Sequence, residues 1–176
     1  QELGRAATND LEELAKKVAS SEGVAFVPAL AGLGAPYWDQ DARGTIVGLT
    51  RGSTAAHLAR ATLEGIAFEV WDLLEAMTKD AGRELASLKV DGGASRNDLL
   101  VQFQSDVANV EVVRPVEIES TGRGAAMLAG IGAGLSDVKA AEKMVKLDRT
   151  FRPGIPASER DAHIERWRKA IAQSRA

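Results

Sequence analysis

Asp91-Gly92-Gly93-Ala94-Ser95-Arg96-Asn97 is the stretch of this 176-residue sequence whose residue types could do chemistry. Leu88 and Val90 fall on one side of an extended run with Lys89 on the other, so a strand leads into the glycines. Glycine has no Cβ, which lets the backbone take positive φ at Gly92 and Gly93 and lets another group come close. Ser95 reads as an N-cap, and Asp98 three residues on completes a capping-box-like pair, so a helix is expected to start there. The first N–H groups of a helix are unpaired and carry partial positive charge. A strand–glycine–helix junction of this kind suits a nucleotide or another polar ligand. The same residues also make an ordinary short connection in an α/β protein. A single Gly-Gly without G-x-G-x-x-G or G-x-x-x-x-G-K-[ST] favours, on local grounds, the ordinary connection.

Other chemistries find little support. The sequence has no cysteine and two histidines, His57 and His163, far apart. Thiolate and histidine metal centres are therefore not expected, and no metal ligand is assigned. The net charge of -3 provides no basic field for a nucleic acid. No apolar run approaches the length of a membrane span, no signal peptide is visible, and the lack of cysteine fits a reducing compartment, so a cytoplasmic location is expected. The chain opens on Gln1 and goes straight into a helical pattern, which suggests a fragment of something longer.

The elements that must position the glycine turn follow from periodicity. Asn9 caps a short amphipathic helix from Asp10 to Ala19, with Leu11, Leu14, Ala15 and Val18 as its stripe. Val24–Val27 reads as a buried strand closed by Pro28. Residues 29–39 are too rich in Gly and Pro for a regular element and too apolar for a solvated loop. Such a loop is either packed under something or lines a cleft. Thr45–Leu49 is a second strand. Thr54 caps a long helix to about Lys79, with Leu63, Ile66, Val70, Leu73 and Met77 as the expected buried stripe. Glu64 and Glu69 then fall mostly outside it, as solvated carboxylates. Gly82 ends that helix.

Beyond the turn, Leu99, Leu100, Phe103 and Val107 give the next helix a core face, and Val110–Val113 is a strand stopped by Pro115. Ser120–Gly130 is a helix of small residues whose glycines call for close packing, because each costs a helix about 1 kcal/mol relative to alanine. A short helix to Met144, a strand over Leu147–Phe151 and a closing helix over Pro156–Ala170 complete the chain. Strands alternating with helices imply one α/β domain with a parallel or mixed sheet flanked by helices.

Two segments resemble a known family. Gly44-x-Ile46-x-Gly48-Leu49, followed after a short spacer by His57-Leu58-x-x-Ala61-Thr62-Leu63-Glu64, is similar to the C-terminal signature of the FGGY carbohydrate kinases. These belong to the actin/hexokinase/heat-shock-70 ATPase superfamily. Val90-Asp91-Gly92-Gly93-Ala94 looks like that superfamily's adenosine motif. Within the family, Phe26 through Asp39 with Ala42-Arg43-Gly44, together with Gly48–Gly52, Gln102–Asp106 and Phe151–Gly154, resembles the branch that phosphorylates glycerol.

The resemblance implies that residues 1–176 are most of a ribonuclease-H-like C-terminal domain that binds ATP or ADP with Mg²⁺ across a cleft. Gly92, Gly93 and Asn97 are the implied nucleotide-binding residues, with Asn97 presenting its amide from the first helical turn. The Ser95-Arg96 pair departs from one common family version, where small apolar residues stand. Asp91 would brace the turn or the ribose. The resemblance places the catalytic Asp and the glycerol-binding residues in an N-terminal half upstream, and Asp39, Asp41 and Asp91 are not matched substitutes. It also implies a homo-oligomer, dimer or tetramer, with ATP and glycerol as substrates. Another polyol or sugar kinase such as a xylulose kinase, or a non-catalytic actin-like nucleotide-binding module, are the alternatives.

Overall fold

The computed structural model describes residues 11–175. Asn9 and Asp10, which the sequence assigns to the start of the first helix, lie outside the described residues. The helical turn at residues 11–15 is shorter than the expected run to Ala19. Strands β1 (Ala25–Val27) and β2 (Thr45–Val47) pair antiparallel, with Phe26 opposite Ile46. Helix α1 runs over Ala55–Ala81 and ends at Gly82 in the left-handed conformation, φ 62°. Strand β3 (Ser87–Lys89), a 3₁₀ turn (Gly93–Arg96), helix α2 (Asp98–Ala108) and strand β4 (Glu111–Pro115) follow. Helices α3 (Ser120–Gly132) and α4 (Val138–Lys143), strand β5 (Leu147–Phe151) and helix α5 (Ala157–Ser174) close the chain. The second sheet has the order β3-β4-β5, with β3 and β4 parallel and β4 and β5 antiparallel. The mixed sheet and the alternation of strands and helices are as expected.

The core forms where α1, α2 and α5 meet. Phe68 of α1 stacks on Trp167 of α5 at 5.1 Å between ring centroids and meets Phe103 of α2 edge-on at 5.3 Å. Such ring pairs add to the burial of their area. Trp167 is fully buried, and its indole N–H donates to Asp72 Oδ2 at 2.8 Å. Tyr37 OH donates to the other oxygen, Oδ1, at 2.9 Å. Burial pushes the Asp72 carboxyl above the usual carboxylate range, and the two donors oppose that rise.

The buried stripe of α1 differs from the expected one. Leu73 and Met77 are 43% and 56% exposed, whereas Ala56, His57, Ala61, Gly65, Phe68 and Trp71 face inward. Leu63 is buried as expected, and small residues hold the part of the inner face that lies close against β1. A Cβ added at Gly65 would sit 2.2 Å from the Phe26 carbonyl oxygen, which is backbone and cannot swing away. Gly65→Ala should therefore cost about 2–3 kcal/mol, read as a lower urea midpoint at unchanged slope.

Glu64 also reverses its expected place. It is 3% exposed and accepts from Ser21 Oγ at 2.7 Å, Arg60 Nε at 2.9 Å and Arg166 Nη2 at 3.2 Å. Two guanidinium groups and a hydroxyl make this burial tolerable, which the charge pattern of α1 alone did not reveal.

The loop between β1 and β2 combines both expected roles. Ala29, Leu33 and Ala42 are buried, while Leu30 and Trp38 are each 79% exposed. Leu33 and Asp39 exchange backbone hydrogen bonds at 2.7 and 2.9 Å, and Asp39 Oδ1 accepts from the backbone N–H groups of Asp41 and Ala42. Asp39 is thus a loop brace, paired through Oδ2 with Arg175 at 2.8 Å.

Helix α3 forms where the small residues place it, but the expected close packing does not come from the described residues. Among the described residues it buries no side chain, and Leu128 is 71% exposed. A Cβ at Gly122, Gly124, Gly130 or Gly132 would meet no atom within 4 Å. Leu88, Val90, Val112 and Phe151 of the β3-β4-β5 region cluster instead on Val101 of α2.

Candidate functional site

The glycine turn bridges β3 and α2. Val90 N–H donates to the Val113 carbonyl at 3.0 Å, extending the β3–β4 pairing to the edge of the turn. Gly92 then takes φ 79°, which only glycine adopts freely. Its N–H donates to the Ile118 carbonyl at 2.8 Å, so the turn is held from the far side of β4. The positive φ is confined to Gly92; Gly93 begins a 3₁₀ turn.

That turn changes the capping expected from sequence. Ser95 does not cap the helix: its Oγ donates to the Gly92 carbonyl at 2.7 Å, and its N–H reaches the same oxygen at 3.1 Å. The 3₁₀ turn uses up residues 93–96, so the cap moves to Asn97, whose Oδ1 accepts from Leu100 N–H at 2.9 Å. Asn97 therefore stands one residue before α2, 7% exposed, with its Oδ1 committed and its amide N–H₂ left as the group that can meet a ligand. A Cβ built at Gly92 or Gly93 meets nothing within 4 Å, so the space over the turn is open. Gly92, Gly93 and Asn97 thus lie on one short junction, with open space at the glycines and a capped helix start behind them. Asp91 is exposed beside it.

Arg114 escaped the sequence reading. Its Nη1 donates to the carbonyls of Ser95 at 2.8 Å and Arg96 at 3.3 Å and to Asp98 Oδ1 at 2.8 Å, while Nε donates to Asp148 Oδ2 at 2.8 Å. Asp98 Oδ2 is taken in turn by Arg149 at 2.6 Å. The guanidinium lies 5.2 Å from the Phe151 ring centroid. The available signal was strand period: Val112 is buried, and Arg114 two residues on shares its side of β4.

Among the described residues, no group of three or more His, Cys, Asp or Glu is placed to hold a metal ion. A cavity of about 1020 Å³ opens elsewhere, lined in part by Pro36, Trp38, Trp71, Glu75, Lys79 and Asn109, and includes none of the turn residues. No described helix is long and apolar enough to cross a membrane.

Residues 1–133 match the C-terminal domain of the FGGY family of carbohydrate kinases. The chain belongs to that family. This FGGY domain is 52% identical over 170 residues to a glycerol kinase of Janthinobacterium sp. (strain Marseille), covering 95% of the chain and 34% of the relative. A glycerol kinase of Deinococcus radiodurans is 51% identical over 169 residues, with 96% and 34% covered. The chain thus spans about a third of the length of these relatives. Among solved structures, Plasmodium falciparum glycerol kinase with ADP superposes with a TM-score of 0.86 at 32% identity, covering 96% of this chain and 34% of that one. A ligand-bound xylulose kinase from Lactobacillus acidophilus gives a TM-score of 0.77 at 28% identity, covering 94% and 34%. The FGGY fold is therefore the actin/hexokinase-type α/β fold that the resemblance implied.

Asn97→Ala should remove both the helix cap and the free amide. About 1 kcal/mol of stability goes with the cap. If the amide meets the nucleotide, Asn97→Asp keeps the cap but still weakens ADP binding, as titration calorimetry on both variants can measure.

Proposed function

We propose that this FGGY domain is the nucleotide-holding C-terminal part of a glycerol kinase, converting glycerol and ATP to sn-glycerol 3-phosphate and ADP. The observation that carries this reading is the open Gly92-Gly93 turn capped by Asn97, in a chain about half identical to glycerol kinases and similar in fold to one solved with ADP. Gly93 lets the nucleoside approach the backbone, and the Asn97 amide donates to it. Gly92 supplies the positive φ that turns the chain away from the ligand.

The general base and the glycerol-binding groups belong to an N-terminal half of the same polypeptide, its partner across the cleft. Phosphoryl transfer depends on positioning and charge neutralisation, so this domain alone holds ATP weakly at best and catalyses nothing. Mg²⁺ enters with the nucleotide phosphates; the described residues of this chain do not themselves fit a metal site. A cytoplasmic enzyme assembled as a dimer or tetramer completes the reading.

Glycerol-dependent ADP release by the full-length polypeptide, and none by this chain alone, is the expected result. Turnover of xylulose or gluconate in preference to glycerol would move the reading to another sugar kinase of the family. Full-length protein that binds ATP but phosphorylates no polyol or sugar would leave a nucleotide-binding module.

A further inference from the structure

We propose that Arg114 is a positioning residue for the nucleotide, holding the Gly93–Arg96 turn in its binding shape by gripping the turn's own carbonyl oxygens. This rests on the reading of that turn as the nucleotide site. A guanidinium presents its donors in a fixed planar fork. Arg114 spends Nη1 on the carbonyls of Ser95 and Arg96 and on Asp98 Oδ1, and Nε on Asp148 Oδ2. The two carbonyls belong to the last peptides of the 3₁₀ turn, immediately before Asn97.

The arrangement has the marks of a brace built for that one purpose. The Arg114 side chain is 11% exposed, whereas its carboxylate partners Asp98 and Asp148 are 44% and 45% exposed. Its charge is thus balanced at the rim, while its N–H groups reach inward to backbone. The start of the turn is held through Gly92 N–H on the Ile118 carbonyl and Ser95 on the Gly92 carbonyl, and at its end the Asn97 N–H donates to the Ala94 carbonyl at 3.1 Å. Arg114 restrains its end, the peptides that aim Asn97. Arg149 on the second oxygen of Asp98 and the Phe151 ring beneath keep the guanidinium from rotating away.

Lysine keeps the charge but has a single nitrogen, which cannot serve both the carbonyls and Asp148 in these directions. The test is steady-state kinetics and ADP titration on the full-length polypeptide, comparing wild type with Arg114→Lys, Arg114→Ala and Glu111→Gln. Glu111→Gln breaks an exposed ion pair on the same strand, with Arg152 at 2.8 Å, and serves as the control. Arg114→Lys should raise the KM for ATP and the Kd for ADP about tenfold, a 1.4 kcal/mol loss. The KM for glycerol and kcat should stay within about twofold, and Glu111→Gln should match wild type. Arg114→Ala should follow the same pattern more strongly if it folds; Arg114→Lys alone decides if it does not. Unchanged ATP KM in Arg114→Lys, or equal rises in both KM values alongside a lower melting temperature, overturns the proposal while the nucleotide reading stands. Wild-type protein that binds no ADP overturns both.

Discussion

Gly93→Val is expected to weaken ADP binding at least about tenfold while leaving the domain folded, and Gly92→Val is expected to do the reverse in kind. The contrast comes from two adjacent backbones. Gly93 lies outside the left-handed region, and its added Cβ would meet no atom of the chain within 4 Å. A branched side chain there stands in the open space where a nucleoside would come against the backbone. By helix propensity valine is no worse than the glycine it replaces, so the substitution adds little folding cost of its own. Gly92 holds φ 79°, so valine at that position is strained whatever the space, by about 1–2 kcal/mol or more. Gly92→Val should therefore lower the melting temperature first and lose binding as a consequence. Full ADP affinity in a folded Gly93→Val would refute the turn as the nucleotide contact, and an unfolded Gly93→Val would make it a purely structural connection.

Glu64→Leu is expected to destabilise the domain by about 3 kcal/mol, because it strands two partly buried guanidinium groups. Arg60 and Arg166 are 17% and 27% exposed and both point their donors at the Glu64 carboxylate. Ser21 Oγ loses its acceptor as well. The node carries a pH signature through His163, whose Nδ1 lies 2.9 Å from Arg166 Nη2 and therefore accepts while the ring is neutral. Burial, aided by the Arg166 charge, holds His163 below its ordinary value of 6.5. The unfolded chain then binds a proton that the folded one refuses, so stability is lost as the pH falls through about 6.5 toward the folded value. Glu64 and Glu159 face His163 with the opposite sign, and Arg60 with the same sign as Arg166. Chemical denaturation at pH 7 and pH 5.5 should show a smaller pH loss in His163→Asn than in wild type. Equal losses would remove His163 from the account.

The parts of the fold that were legible in the sequence are those set by local periodicity and punctuation. Gly82 at the end of α1 and the β5 strand both follow from short-range rules. What escaped depends on neighbours distant in sequence. Glu64 reads as a surface acid until Arg166, brought up by α5, is seen on it. Where β1 crowds α1 its inner face is alanine and glycine, so a search for large apolar residues found the buried Leu63 but also picked the exposed Leu73 and Met77. At the candidate site, the glycines and Asn97 were found through family resemblance, since a lone Gly-Gly turn is too common to carry the inference. Ser95 matches the rule for a cap as well as Asn97 does; only the four residues used by the 3₁₀ turn decide between them.

Trp167 marks how far the folding unit extends. The family match ends at residue 133, yet α5 lies beyond it and supplies the indole stacked on Phe68 and the donor to Asp72. A polypeptide stopped at the end of the family match would keep the glycine turn but lose the helix that neutralises Glu64 and completes the aromatic core. The end of the family match therefore falls short of the folding unit, and the 52% identity to the Janthinobacterium relative over 170 residues runs on past it. The glycine turn lies inside the matched stretch, while the helix that completes the aromatic core lies after it.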